Sequence, residues 1–357
     1  MPPALPATVR LPPHRSVLPL PGGGRLFGLD PAAAVVADGL SLPLAEMVDE
    51  LRAPVPAHVV VARAVERGAA PEEAEALLAE LVESGAVTDA AVLELRDTRR
   101  ASSIAVVVGR GPLAVGIVTG LALAGVGTVH TDTGGEVRTG DLGTGYLDAD
   151  RGGDRLTATR AALRRLLPGT VTGPPPLRLV PDLVVLADEA PAPDRLTTLH
   201  ADGAAHLPAR LRDGVGVVGP LVLPGRSACL RCLDLHRAAA DPCWPTVAAR
   251  LAGWVGSAGP ATVVATAALA VEQALLAVDA VFGAEPPPTL DGVLELDLRR
   301  GGLRRRRCAP HPDCRCGAAH THPDDVVYRT TTSASIPRPG EPEAATGQPT
   351  CTARNGQ

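Results

Sequence analysis

The sequence contains no lysine, so all 34 of its basic residues are arginines. Its single asparagine, Asn355, lies close to the C-terminus. These absences exclude any catalytic scheme that relies on a lysine ammonium group or on an asparagine before the C-terminal tail. Aromatic residues make up only 2% of the chain, so the core has to be built from alanine, valine and leucine.

The chain also lacks a strong excess of either charge. Its formal net charge is -5 over 357 residues, which argues against a dedicated nucleic-acid-binding protein. At roughly 150 residues per domain this length predicts two domains. A hydrophobic content of 45% is enough for a sizeable core.

Long uncharged apolar runs are missing as well. The run 103–129 is interrupted by Arg110 and Pro112, and the run 261–282 contains Glu272 and Asp279. Neither provides the roughly 20 nearly uncharged residues of a membrane span, and the N-terminus shows no secretory signal. We therefore expect a cytoplasmic protein without a membrane segment. Its seven cysteines are then expected to bind metal or stay free rather than to form disulfides.

The N-terminal part of the sequence predicts a small α+β module. Residues 1–15 are proline-rich and are expected to be flexible. In residues 16–97, two short strands flank a glycine turn at Gly22–Gly24, three short helices follow, and "AVTDA" is a possible returning strand. This order predicts a winged-helix-like module. The alternative is an irregular cap on the main domain.

From Ile104 onwards strands and helices alternate, which is typical of a parallel sheet. "IAVVV" and "LVVLAD" are continuous apolar runs, as expected for strands that are buried on both faces. A long apolar helix is predicted over 261–282, and a hairpin is predicted to turn at Gly301–Gly302. Residues 98–318 are therefore predicted to form an α/β, Rossmann-like domain with a mostly parallel sheet. The polar residues 319–357 are predicted to form a disordered tail.

A nucleotide-binding fingerprint follows the first of these strands. Gly109, Gly111 and Ala114 satisfy the Gly-x-Gly-x-x-Gly/Ala pattern, and Asp132 ends the next strand about 20 residues later. Glycines allow backbone N–H groups to approach a phosphate at a helix N-terminus, and the acid can bind a ribose hydroxyl. The alternative is a glycine turn that serves only the packing of the helix against the strand.

Four cysteines form two closely spaced pairs, one Cys-x-x-Cys and one Cys-x-Cys. They are Cys229 with Cys232 and Cys314 with Cys316. Two converging thiolate pairs suit a tetrahedral structural zinc site with no open position for catalysis. Cys308 and His311 are substitutes if the shorter pair cannot bind. The alternatives are four buried thiols or a redox-active Cys-x-x-Cys, and the latter is disfavoured because no helix N-terminus is evident after it.

Six features follow one another along the chain: the glycine loop, the acid after the second strand, "VVLAD", "SACLRC", the long helix and "PDCRCG". In this order of features the chain resembles the ThiF/MoeB/HesA superfamily over roughly residues 98–318. These proteins are relatives of the ubiquitin-activating enzyme. The resemblance implies a domain that binds ATP, adenylates the C-terminal carboxylate of a small protein and forms a homodimer. Residues 16–97 resemble, in pattern and layout, the leader-peptide-recognition winged helix of the TOMM precursor leader-peptide-binding proteins.

The sequence departs from this family where adenylation needs cations. "TGGEVRTGDLGTG" replaces the family's asparagine- and arginine-containing motif, and the family's lysine is missing. Arg138, Arg155 or Arg160 are possible replacements, and Asp188 or Glu189 remains as the magnesium-binding acid. Because a carboxylate that attacks the α-phosphate needs such charges, the resemblance implies a weakened or idle nucleotide fold, with Asp188 and Arg155 as candidate catalytic residues.

Two classes of function follow from these features. As a binding protein, the chain would take up a precursor or leader peptide by strand addition and present it to a partner modifying enzyme of the cyclodehydratase type. As an enzyme, it would use ATP and magnesium to activate the C-terminal carboxylate of a ubiquitin-like or sulfur-carrier protein. An NAD-dependent oxidoreductase with His200 or His206 as its base is disfavoured by the missing lysine and by the order of the cysteine pairs.

The helix predicted over 71–84 is expected to dock the peptide. The core of so small a module is not expected to need all three of its leucines, Leu77, Leu78 and Leu81. Its glutamates would repel phosphate, which argues against a DNA-binding winged helix.

Overall fold

The computed structural model describes residues 5–167, 173–176, 179–280 and 286–320. The first four residues of the predicted flexible N-terminus and residues 321–357 of the predicted tail lie outside the described residues. The predicted fold class is confirmed. An α/β domain with a seven-stranded sheet follows a small module with short antiparallel sheets.

Two small sheets and three helices form the N-terminal module. Its strands are β1 (Thr8–Arg10), β2 (Val17–Pro19), β3 (Arg25–Phe27), β4 (Val35–Ala37), β5 (Val55–Pro56) and β6 (Thr88–Asp89). Its helices are α1 (Leu42–Glu50), α2 (Ala57–Glu66) and α3 (Pro71–Glu83). One sheet has the order β2-β3-β4 and the other the order β5-β1-β6. The predicted hairpin, helices and returning strand are therefore all present.

Two expectations for this module are wrong. Part of the segment predicted to be flexible is β1, the central strand of its sheet, in which Val9 is fully buried. Three residues are too few to show the alternation that identifies a strand in a sequence. Helix α3 keeps no free apolar face, because Leu78 and Leu81 are 0% and 2% exposed and Leu77 packs against the same core. A module of this size needs these leucines inside.

Helix α4 (Ala90–Ser102) connects the module to the α/β domain. It contacts β1 on one side and the long helix of the α/β domain on the other. Near its C-terminus Arg99 pairs with Asp182 at 2.7 Å, and Arg100 Nε donates a hydrogen bond to Asp279 at 3.0 Å. The domain boundary predicted between residues 97 and 98 therefore falls inside a helix that contacts both parts.

The α/β domain is a mixed sheet with helices on both faces. Its strands are β7 (Ile104–Val108), β8 (Thr128–Asp132), β9 (Leu183–Asp188), β10 (His206–Arg212), β11 (Val215–Val218), β12 (Gly292–Asp297) and β13 (Gly302–Arg307). Its helices are α5 (Pro112–Leu123), α6 (Arg155–Leu166), α7 (Pro193–Ala201), α8 (Leu230–Ala240), α9 (Trp244–Leu251) and α10 (Pro260–Asp279). In the order β13-β12-β11-β10-β9-β7-β8, the strands β8, β7, β9 and β10 are parallel and the others pair antiparallel.

The main core lies between this sheet and the helices α5 and α10. By length and composition α10 is the one helix among the described residues that would reach across a membrane, but 56% of its apolar window is buried inside the protein. We therefore interpret α10 as a core helix. The carboxyl ends of the parallel strands β7, β8 and β9 meet at one edge of the sheet. This brings Gly109, Asp132 and Asp188 together.

Candidate nucleotide site and cysteine cluster

The glycine loop between β7 and α5 packs against the end of β9. A Cβ atom on Gly111 would lie 2.5 Å from Oδ1 of Asp188, and one on Gly109 would lie 2.7 Å from Oδ2. Any larger residue at either position would collide with this carboxylate. The loop therefore needs its glycines in order to close around Asp188.

The Asp188 carboxylate occupies the N-terminus of α5. It accepts hydrogen bonds from the backbone N–H groups of Gly111 at 2.9 Å, Leu113 at 2.8 Å and Ala114 at 3.2 Å. Asp188 has a φ of 72°, a left-handed conformation that is uncommon outside glycine. This conformation turns its side chain from the sheet towards the loop.

Burial is the largest influence on the pKa of the Asp188 carboxyl group. Desolvation raises the pKa of its carboxyl group from 3.8 to about 6, against the opposing effect of the three N–H groups and of the Arg155 charge. The carboxylate thus takes the position where the amides of a helix N-terminus would hold a phosphate. The structure brings Asp188 together with Gly109, Gly111 and Ala114, and the amides of this loop have a partner within the protein.

Asp132 lies at the end of β8, on the open side of the site. Its backbone carbonyl accepts a hydrogen bond from the Gly109 N–H at 3.2 Å. Its side chain is 54% exposed and pairs loosely with Arg195 at 3.4 Å. The position suits the predicted contact with a ribose hydroxyl. Sequence reasoning did not single out Arg195, because it belongs to α7 and is distant along the chain.

Arg155 begins α6 and is almost completely buried. Its Nη2 donates to Asp141 at 2.7 Å and to the backbone carbonyl of Glu136 at 2.7 Å, and its guanidinium lies 5.9 Å from the ring centre of Tyr146. Its Nε and Nη1 have no hydrogen-bond partner in the part of the chain that the structure describes. Sequence reasoning found Arg155 but missed Asp141 and Tyr146, which lie in an irregular segment.

The four predicted zinc ligands form a compact cluster. The Sγ distances are 3.7 Å for Cys229–Cys232, 3.7 Å for Cys229–Cys314 and 3.5 Å for Cys232–Cys316. All four Sγ atoms lie within 4.8 Å of one another. Tetrahedral coordination at a Zn–S distance of about 2.3 Å gives S–S distances of about 3.8 Å. The cluster therefore has the size and the donor set of a zinc site with four thiolate ligands.

The cluster joins the start of α8 to the loop after β13. Cys229 is the N-cap of α8, so the expectation that no helix N-terminus follows the Cys-x-x-Cys is wrong. A hydrogen bond from the Cys229 thiol lowers the pKa of Cys232, which favours a thiolate at that position. Cys308 and His311 are not needed as substitutes, since Cys308 donates to a backbone carbonyl and the ring of His311 packs against another histidine.

The fold and the site define a glycine-loop α/β domain that is fused to an N-terminal module and carries a four-cysteine cluster. Comparisons with models of known protein families and with curated proteins find no match. Solved structures do match. MccB of E. coli in complex with ATP is 13% identical, has a TM-score of 0.66, and is matched over 87% of this chain and 99% of MccB.

Two further solved structures show the same likeness. MccB of E. coli with selenomethionine-labelled MccA matches with a TM-score of 0.68 at 13% identity, over 87% of this chain and 99% of MccB. PaaA matches with a TM-score of 0.57 at 13% identity, over 83% of this chain and 99% of PaaA. MccB is described as a microcin C7 biosynthetic enzyme. This chain shares the fold of these proteins along nearly their whole length.

Proposed function

We propose that this chain is a ThiF-like protein that binds a precursor or leader peptide and presents it to a partner modifying enzyme of the cyclodehydratase type. In this proposal the nucleotide fold is a scaffold that is weak or idle in catalysis, a structural zinc ion occupies the cysteine cluster, and the protein works as a homodimer. The shared fold supports the proposal, because MccB has been solved both with ATP and with MccA.

The observation that carries the idle-scaffold proposal is the position of Asp188. Its carboxylate already binds the backbone N–H groups of Gly111, Leu113 and Ala114. A phosphate would have to displace this carboxylate and would meet its negative charge. No lysine exists in the chain to offset that repulsion. The site residues Gly109, Gly111, Ala114 and Asp132 would then shape the fold rather than hold a nucleotide tightly.

The edge strand β4 is the peptide-binding site that we propose in the N-terminal module. Strand addition needs an edge with free backbone groups. In the sheet β2-β3-β4, the edge strand β2 contains Pro19, which has no N–H to donate, whereas β4 contains no proline. Val36 of β4 and Leu18 of the far strand β2 lie in one cross-strand row through Leu26, and their side chains are 56% and 45% exposed. An apolar surface therefore extends across the sheet from the β4 edge.

Nucleotide turnover tests the scaffold proposal. ATP–pyrophosphate exchange by the purified protein, alone and with candidate carrier proteins, is expected to stay at background. Asp188→Ala is expected to bind ATP more tightly than the unchanged chain, because it frees the loop amides, and still to form no adenylate. Asp202→Ala, which removes an exposed carboxylate from the end of α7, is the matched control. Robust exchange that Asp188→Ala abolishes would overturn the proposal.

A peptide-binding assay tests the proposed peptide-binding site on β4. Synthetic peptides from short reading frames beside the gene are titrated against the full chain, with fluorescence anisotropy as the readout. Val36→Glu is expected to weaken binding about tenfold or more, because it places a charge on the apolar surface at the edge. Leu95→Glu, at a position on α4 that is 50% exposed, is the control and is expected to bind normally. Salt-sensitive binding of duplex DNA instead of peptide would refute the assignment.

The alternative function is an active adenylyltransferase, and Arg155 is the observation that favours it. Among the described residues the Nε and Nη1 groups of this buried guanidinium have no partner, so they could donate hydrogen bonds to a phosphate group, and the charge of Arg155 acts on Asp188. Arg155 would then take the place of the family's lysine, and Asp188 would bind magnesium. In that case exchange would be present in the unchanged chain and lost in both Arg155→Gln and Asp188→Ala.

A further inference from the structure

The hairpin of β12 and β13 ends the large sheet on the side opposite to β8. Among the described residues β13 pairs only with β12, so its other edge is open. The last pair of the hairpin is Asp297 with Gly302, and a tight turn over residues 298–301 connects the strands. Gly301 has a φ of 64° in this turn. The turn and the residues next to it form the tip of the hairpin.

The hairpin concentrates positive charge on a protein that is acidic overall. The formal net charge of the chain is -5, yet residues 292–307 contain six arginines and only two acids. The arginines are Arg299, Arg300, Arg304, Arg305, Arg306 and Arg307, and all six are exposed. A surface of this kind attracts an anionic partner even when the protein as a whole does not.

The two acids of the hairpin lie below its arginines. The side chains of Glu295 and Asp297 are 11% and 24% exposed, whereas those of Arg300 and Arg304 are 87% and 82% exposed. Glu295 is shared by three arginines, which are Arg212, Arg304 and Arg306. One carboxylate cannot neutralise three guanidinium groups, so these arginines keep donors for a further anion. The outermost layer of the hairpin is therefore cationic.

Two exposed leucines lie at the tip among these arginines. Leu298 follows Asp297 and Leu303 follows Gly302, so both adjoin the last pair of the hairpin. Their side chains are 43% and 55% exposed. Single exposed apolar residues are ordinary on a protein surface, but apolar side chains inside a cluster of basic residues are typical of segments that bind at a membrane surface.

Other roles explain the hairpin less well. Charges on an edge strand prevent sheets from pairing edge to edge, but Arg299 and Arg300 lie in the turn and the exposed leucines do not serve that role. The hairpin has no aromatic residue on which the bases of a nucleic acid would stack. A second copy of β13 along this edge would bring two rows of arginines together. An anionic bilayer matches both the charge and the leucines.

We propose that the tip of the β12–β13 hairpin docks the protein on an anionic lipid surface. The arginines would contact the phosphate groups of the lipids, and Leu298 and Leu303 would enter the layer between headgroups and acyl chains. Clusters of about four to eight basic residues bind anionic leaflets, and six arginines fall in that range. The contact is peripheral and needs no helix that crosses the bilayer. It does not rest on the proposed function, because neither a leader peptide nor a nucleotide takes part.

Sedimentation with lipid vesicles tests the proposal on the full-length protein. One set of vesicles consists of phosphatidylcholine and phosphatidylglycerol in equal parts, and the other of phosphatidylcholine alone. The protein is expected to sediment with the anionic vesicles and to stay in solution with the neutral ones. Binding is expected to weaken as salt is raised, because salt screens the attraction between arginines and headgroups. Duplex DNA is tested as a competitor and is expected not to release the protein.

The double variant Arg299→Gln with Arg307→Gln removes two exposed charges that have no acidic partner among the described residues. It is expected to bind the anionic vesicles about tenfold or more weakly. Arg52→Gln with Arg164→Gln is the matched control, because it removes the same charge at exposed positions outside the hairpin. The control is expected to bind normally, and the melting temperatures of both variants are expected to stay unchanged.

The double variant Leu298→Ser with Leu303→Ser tests the apolar part. It keeps every arginine and is expected to bind the anionic vesicles about tenfold or more weakly, because it removes the side chains that enter the bilayer. Leu95→Ser with Leu123→Ser, at positions that are 50% and 59% exposed, is the control and is expected to bind normally.

Four results would overturn the proposal. Absence of binding to the anionic vesicles, or equal binding to both kinds, would show that no anionic lipid surface is recognised. Unchanged binding by the arginine variant would place the contact outside the hairpin. Unchanged binding by the leucine variant would show adsorption by charge alone. Release of the protein by duplex DNA would identify a nucleic-acid surface instead. Since Val36→Glu leaves the hairpin intact, failure here is distinguishable from failure of the leader site.

Discussion

Replacing Asp188 by asparagine is expected to change how the stability of the protein depends on pH. The pKa of this carboxyl group rises from 3.8 to about 6 on folding because of burial. A folded-state pKa above the unfolded value means that the folded protein holds the proton more tightly. The associated stability is therefore fully present below pH 3.8 and is lost as the pH rises through about 6.

The magnitude follows from the shift. A difference of about two pKa units corresponds to about 3 kcal/mol, at 1.36 kcal/mol per unit. Between pH 4 and pH 7 the free energy of unfolding of the unchanged chain should therefore fall by up to about 3 kcal/mol relative to that of Asp188→Asn. Every other titrating group is common to the two proteins, so the difference between them isolates this carboxyl group.

Urea unfolding at half-unit pH intervals measures both curves. Asp132→Asn is the control, because it removes a carboxylate from the same site at a position that is 54% exposed. A difference between the unchanged chain and Asp188→Asn that stays constant with pH, or that grows in favour of the unchanged chain towards neutral pH, would refute the burial of an ionisable Asp188 against the loop amides.

Further predictions concern the cysteine cluster, the buried arginine and the connecting helix. The purified protein should contain one zinc ion per chain; Cys232→Ser should lose the metal and melt at a lower temperature, whereas Cys243→Ser, at an exposed position, should do neither. Arg155→Gln should cost about 3–5 kcal/mol, because it leaves the buried carboxylate partner without a cation; Arg164→Gln on the same helix should cost little. A fragment that ends at residue 102 and so contains all of α4 should unfold at a higher temperature than one that ends at residue 97, and circular dichroism measures both; equal melting temperatures would show that the end of α4 adds nothing to the module.

The sequence was most informative where structure is local. Continuous apolar runs predicted β7 and β9, and the glycine pattern predicted the turn into α5. The meeting of the two cysteine pairs across 85 residues of chain is not local, and it was predicted because four thiolates suit a tetrahedral zinc site. The strand runs, the glycine turn and the spacing within each cysteine pair are local. These features depend on neighbours along the chain, and neighbours along the chain are what a sequence displays.

The misses have physical causes of two kinds. Short elements such as β1 carry too few residues to show a period, and the burial of Leu78 in α3 depends on how much core the module has to fill. The hydrogen bonds from the loop amides to Asp188 join residues more than 70 positions apart in the chain. They also depend on the left-handed backbone conformation of Asp188. The family resemblance implied Asp188 or Glu189 as the magnesium-binding acid, and a resemblance in sequence does not reveal the backbone conformation of the residue.

The distribution of arginines connects these observations. A nucleotide fold without lysine has to offset phosphate charge with arginine. Two arginines near the loop, Arg155 and Arg195, already have acidic partners in Asp141 and Asp132, whereas Arg110 lies in the loop itself and is exposed. Arg210, in contrast, has no such partner in the part of the chain that the structure describes, and it lies on the next strand beside Asp188. Among the described residues, positive charge without an acidic partner is thus found at Arg210 on β10 and, at the glycine loop, at the exposed Arg110. A phosphate at the loop would therefore meet the Asp188 carboxylate with little cationic charge to offset it.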